Sequence, residues 1–213
     1  MISSHEVRWF LEGSVEQHPA LRGWVEEGAS DPKWIGRLGR KPDAYLVVPG
    51  ATDMGIKWRE GQLQIKGLEC SMGTQKFSGG HEGRVERWMK WGYAGKSIGD
   101  AFTPWFTNVK AEPRIVEVHK TRCLRRVRMN PFTPTLIEVD SNTLIDRGGA
   151  LEVTDLRVGA HAYTSVAFEA FPNDSGMHSD FRGFLNTFLG KLSGVELLES
   201  NSMSYPAWLQ TLE

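Results

Sequence analysis

Cationic side chains recur at two-residue spacing along this chain. Lys57 and Arg59 are one such pair, Lys120 and Arg122 a second, and Arg126 and Arg128 a third. Lys66 follows the first pair after a short interval, and Arg8 lies near the N-terminus. In an extended strand, side chains at i and i+2 share a face, so each pair points the same way. Arginine presents a planar fork of donors and lysine a mobile point charge, and both suit phosphate oxygens. Carboxylates sit on other strand-like runs: Glu6, Glu152 and Glu169. Brought together, such carboxylates could hold Mg²⁺ or Mn²⁺ against bound phosphates. Glu86 and Lys90 share a face with Arg84 and Trp88, and they are further candidates to line the same space. A charged outer face on an ordinary amphipathic sheet accounts for any one strand. It accounts less well for several cationic faces in a chain of near-zero net charge.

These residues need strands to carry them. Residues 5–11 alternate and are bulky, with Glu6, Arg8 and Phe10 on one face. Ser14 and Gln17 have the spacing of a capping box, opening a short helix over 15–26. Residues 43–48 form a second strand. Two alternating runs flank Glu60-Gly61, so 55–66 reads as a hairpin. Further strands are expected at 84–91, 115–127, 136–140, 150–158 and 162–171, with a loop over 73–83. Beyond Pro172 the period changes. Phe181, Phe184, Leu185, Phe188, Leu189 and Leu192 mark one face of a helix. Ser179 or Asp180 is placed to cap its start and Gly194 to end it.

The outer faces carry Trp, Ile and Leu and need cover, whereas the opposite faces are charged. A closed barrel reconciles these facts, with a polar interior and helices packed outside. The expected fold class is α+β, mainly β: a closed eight-stranded antiparallel barrel with a short N-terminal helix and a C-terminal amphipathic helix, all within a single domain over 1–213. Cations crowded into a low-dielectric interior repel one another, and they make sense around a multiply charged anion.

The bulk figures bound the reading. The chain has 213 residues, 25 Lys plus Arg and 26 Asp plus Glu, for a net charge of -1. That balance argues against a general nucleic-acid coat, and a patch at Arg125 and Arg126 is the weaker reading. No run reaches the length of about 18 apolar residues that a membrane helix needs. Met1 to Leu11 lacks the apolar stretch of a signal peptide. Cys70 and Cys123 are read as free thiols, and a cytoplasmic location is expected. The six histidines show no metal-ligand spacing, and most are expected in surface or loop positions. Trp88 is expected in the core.

In order along the chain, these segments resemble the CYTH superfamily of triphosphate tunnel enzymes. Its first strand reads Glu-x-Glu-x-Lys; here Glu6 matches, while Arg8 and Phe10 stand in the other two places. Lys57-Trp58-Arg59 followed by Leu63-Gln64-Ile65-Lys66 is similar to the family's Arg-x-Arg strand and the Lys-ending strand after it. Lys120-Thr121-Arg122 resembles a later Lys-x-Arg strand, and Leu151-Glu152-Val153 an acidic one. Phe168-Glu169-Ala170 keeps one glutamate of a Glu-x-Glu strand. Ser204-Tyr205-Pro206-Ala207-Trp208-Leu209 is similar to a closing Ser-Tyr-x-x-Leu helix.

The resemblance implies a metal-dependent phosphohydrolase acting on inorganic triphosphate, thiamine triphosphate or a nucleotide. Glu6, Glu152 and Glu169 would then serve as metal ligands and catalytic carboxylates, with Mg²⁺ or Mn²⁺ as cofactor. Arg8, Lys57, Arg59, Lys66, Lys120, Arg122 and Arg126 would hold phosphate oxygens. The alternative expectation is a non-catalytic tunnel that binds a polyanion, polyphosphate or nucleotide. The partner is in either case a phosphate-rich small molecule, with neither a membrane nor a nucleic acid, and the chain a monomer or homodimer.

Overall fold

A computed structural model describes residues 2–27, 34–36, 42–94, 112–130, 132–133, 135–140 and 143–212. Its strands are β1 (Ile2–Glu12), β2 (Trp34–Gly36), β3 (Asp43–Val47), β4 (Met54–Arg59), β5 (Gln62–Lys76), β6 (Glu82–Ala94), β7 (Arg114–Met129), β8 (Leu136–Val139), β9 (Gly148–Val158) and β10 (His161–Phe171). Its α-helices are α1 (Pro19–Glu26), α2 (Met177–Leu189) and α3 (Tyr205–Gln210).

The sheet runs β7-β3-β4-β5-β6-β1-β10-β9 and closes by a β9–β7 pairing. Every pairing in that ring is antiparallel, so the eight-stranded barrel expected from the charge pattern is present. β2 and β8 also pair with β7, outside the ring. The β4–β5 turn is built on Glu60 (φ 51) and Gly61 (φ 77). Two consecutive positive φ angles twist a two-residue turn to match the flanking strands.

β5 and β6 outrun their expected lengths. The stretch read as a loop from residue 73 continues β5 to Lys76, through a register shift between Ser71 and Thr74. Gly73 (φ 76) sits in that shift, where a residue without Cβ accommodates a bulge.

Both main helices pack on one outer side of the barrel. Val7, Trp9, Val153, Val166 and Phe168 face outward there, against Leu21 and Trp24 of α1 and Phe181, Phe184 and Phe188 of α2. The Trp24 indole donates to Phe188 O at 3.0 Å, which ties the two helices together. The N-terminal helix departs from its expected span. Gln17 does reach back to the Ser14 amide (2.9 Å), but it caps a 3-10 turn over Val15–Gln17, and α1 begins afresh at Pro19. A proline at the first helical position has no amide to waste.

α2 likewise starts earlier than Ser179. Asp174 Oδ1 accepts from the Gly176 and Met177 amides (both 3.0 Å), while Asp180 is paired with Arg147. The helix stops at Gly190, so Leu192 is buried beyond its end and Gly194 ends nothing. His119 and His161 are exposed and His81 lies in a loop, as expected for most histidines, although His5 and His81 are each only 2% exposed. His5 lies on the outer face of β1, where its ring meets Phe181 of α2. Among the described residues, no helix is long and apolar enough to cross a membrane.

Candidate functional site

The alternation that sends Val7 and Trp9 outward sends Glu6, Arg8 and Phe10 into the barrel. One end of the interior is apolar. Phe10, Tyr45, Val116, Val118 and Leu156 line it, and α3 fills it with Trp208 and Leu209. Trp208 stacks on Phe10 at 4.5 Å and meets Tyr163 edge-on at 5.3 Å. Arg114 donates to Leu209 O at 2.9 Å, and the Gln210 side-chain amide to Val48 O at 2.9 Å, so α3 is fastened to the rim. Toward the Glu60-Gly61 turn the interior opens into a cavity of about 340 Å³.

Seven cations line this cavity: Arg8, Lys57, Arg59, Lys66, Lys90, Lys120 and Arg122. Six carboxylates join them: Glu6, Asp43, Glu60, Glu86, Glu152 and Glu169. All the expected site residues except Arg126 are therefore brought together. Arg126 shares a face with Arg122, as alternation requires, but it lies four residues farther along β7. That is about 13 Å of strand. Its guanidinium donates to Thr143 O at 2.8 Å, away from the cavity.

Like charges stand directly opposite one another. Glu6 faces Glu169 across β1–β10 and Glu86 across β1–β6, and Lys66 faces Lys90 across β5–β6. Directly opposed like charges destabilise a sheet, so this arrangement is costly in the folded protein. Unlike charges offset part of the cost. Lys66 bonds Glu6, which also accepts from Ser4 at 2.8 Å. Glu152 meets Arg122 at 3.1 Å and Arg8 at 3.5 Å, and it accepts from Thr154 at 3.0 Å. Asp43, 3% exposed, faces Lys120 (3.3 Å), Arg59 (3.7 Å) and Lys57 (3.9 Å).

The carboxylates do not neutralise every cation. Burial, reinforced by Lys120, pushes the Lys57 ammonium well below the ordinary lysine range despite Asp43. Burial and the neighbouring Lys66 lower Lys90. Burial also brings Lys120 down to about 8, against the pull of Asp43 and Glu152. The glutamates divide. Burial would raise Glu152, but Arg8, Arg122 and Lys120 outweigh it and draw the carboxyl to about 2. Burial raises Glu86, whose carboxylate accepts from the Trp88 indole at 2.9 Å.

Four lining residues escaped the sequence reading in their roles. Asp43 opens a strand whose residues are all buried, so alternation gave its face no contrast. Tyr45 shares that inner face, and its hydroxyl accepts from Lys120 at 2.5 Å. Tyr205, from α3, stacks on Tyr45 at 5.2 Å, and Lys120 lies 4.2 Å over its ring. Trp88 is buried, but in the cavity wall rather than the outer core. The one sequence signal for Asp43 and Tyr45 was their i, i+2 spacing.

The implied divalent metal does not fit this arrangement. Glu152 and Glu6 are engaged by Arg8, Arg122 and Lys66. Among the described residues no three His, Cys, Asp or Glu side chains gather to hold a metal ion. Arg8 supplies a fixed cation between Glu152 and Ser165 (3.1 Å) instead.

No protein-family model matches the chain, and no curated protein matches it. Among solved structures it is similar to the conserved hypothetical protein Pfu-838710-001 from Pyrococcus furiosus. That likeness has 13% identity, covers 95% of this chain and 98% of the other, and has a TM-score of 0.42.

Proposed function

We propose that the barrel interior binds a triphosphate-bearing small molecule and that the chain is a diverged relative of the CYTH group. The observation that carries this reading is the convergence of seven Lys and Arg side chains on one cavity inside the barrel. Burial, with repulsion from neighbouring cations, holds three of them, Lys57, Lys90 and Lys120, below their ordinary range despite the nearby carboxylates. A polyvalent anion entering the cavity compensates them, so binding and protonation favour each other. The seven cations come from five barrel strands, β1, β4, β5, β6 and β7, and converge on one cavity with α3 at its end, an arrangement suited to chelating several phosphates.

A second reading, hydrolysis of the bound phosphoanhydride, is favoured by one feature. Lys120 bonds Tyr45, and a lysine with a pKa near 8 can exchange a proton near neutral pH. Because Glu6, Glu152 and Glu169 do not assemble a metal site, binding ranks ahead of metal-dependent turnover.

Thermal unfolding with tripolyphosphate tests the binding reading, in wild type and Lys66→Ala, each with Mg²⁺ or with EDTA. Stabilisation of the wild type that survives EDTA and is lost in Lys66→Ala is expected. Stabilisation only with Mg²⁺, accompanied by phosphate release, would replace it with the metal-dependent hydrolase. No stabilisation under either condition would remove both.

A further inference from the structure

The cavity has a floor. Tyr45 and Tyr205 stack across the barrel, and behind them Phe10, Trp208 and Leu209 fill the interior. Three cations stand on this floor: Lys120 lies 4.9 Å from the Tyr45 ring, Arg8 5.2 Å from Tyr205, and Lys57 5.9 Å from Tyr45. The strands then carry the next cations toward the Glu60-Gly61 end. Arg59 is two residues beyond Lys57 on β4, and Arg122 two beyond Lys120 on β7. β4 and β7 run in the same direction, because each is antiparallel to β3 between them. The outer cations are therefore one strand repeat, about 7 Å, farther from the floor.

We infer that the pocket is blind and selects ligands by the free end of a short phosphate chain. This inference rests on the phosphate reading above. A terminal phosphate has more charge and more free oxygens than an internal one, and the deep tier offers it three cations over an aromatic floor. A chain cannot thread farther, because phosphate cannot enter an apolar plug without losing its hydration uncompensated. Any organic group on the ligand stays on the Glu60-Gly61 side. The site thus takes tripolyphosphate or the unesterified end of a nucleoside triphosphate. It disfavours a triphosphate esterified at both ends.

Calorimetric titration of the full chain tests this with four probes: tripolyphosphate, ATP, a P1,P3-diadenosine triphosphate and long-chain polyphosphate. Lys66→Ala supplies the background from surface binding. ATP is expected to bind, and the doubly esterified triphosphate to bind about tenfold to a hundredfold more weakly, having lost a charge-assisted terminal contact. Long-chain polyphosphate is expected to load no more than two proteins per chain above background, because a linear chain has two ends. Equal affinity for the doubly esterified probe, or a loading that grows with chain length, overturns the blind pocket while leaving the phosphate reading standing. Failure of tripolyphosphate itself to bind overturns both.

Discussion

Proton uptake on ligand binding follows from Lys120. In the empty cavity its ammonium is drawn down to about 8 by burial, with Arg8 adding repulsion. Phosphate oxygens beside it add negative charge to that of Asp43 and Glu152 and return it to, or above, the ordinary value of 10.5. At pH 8 the group is half neutral before binding, so this residue takes up about half a proton, rising to about 0.9 at pH 9. The same linkage weakens binding by about tenfold between pH 7 and pH 9, or about 1.4 kcal/mol. Calorimetry in buffers of different protonation enthalpy reads the uptake directly. Lys120→Arg keeps a cation that stays charged throughout this range, so its share of the uptake should vanish. Comparing the two proteins cancels the ligand's own titration. An equal uptake in wild type and Lys120→Arg would refute the reasoning. The sign for the empty protein is opposite. Lys120 binds fewer protons folded than unfolded between about 8 and 10.5, so it makes stability rise with pH across that window.

Other outcomes follow from neighbouring groups. Glu152 is held at about 2 against an ordinary 4.5, so it stabilises the fold above 4.5 and the contribution is lost as pH falls toward 2. Glu152→Gln should therefore cost about 2–3 kcal/mol of stability at neutral pH in urea denaturation. It should also tighten tripolyphosphate binding, because Arg8 and Arg122 lose their internal partner; weaker binding would contradict this. Phe168 is fully buried on the outer face of β10, 5.2 Å from Phe184 and 6.4 Å from Trp9. Phe168→Ala should cost about 3–5 kcal/mol in the same assay. The residual folded protein should still bind tripolyphosphate with unchanged affinity, and a matching loss of affinity would show the helical side and the cavity to be coupled.

The inner faces were legible wherever polar and apolar residues alternate, as in Lys57-Trp58-Arg59. Period two reports a face without reporting depth, which is why Arg126 was grouped with Arg122 although it lies beyond the cavity. Where both faces are buried, as in β3, the pattern carries no contrast, and Asp43 and Tyr45 stayed hidden. The floor came from outside the strands. Nothing local in Ser204 to Leu209 says that this helix enters the barrel end, since that depends on the shape of a cavity formed by eight distant segments. The roles of the carboxylates are illegible for a related reason. Glu6 and Glu152 do face inward, but whether they gather a metal or pair with Lys66, Arg8 and Arg122 is decided by cross-strand register, which one strand's sequence does not encode.

Lys57→Met gives the most direct test of the phosphate-binding claim. The wild-type ammonium is strongly disfavoured in the empty cavity, so its removal should leave the fold as stable or more so. Calorimetric titration with tripolyphosphate should show binding to the wild type and a loss of about tenfold or more in the variant. Equal affinity in the two proteins, or no binding to the wild type, would contradict the account.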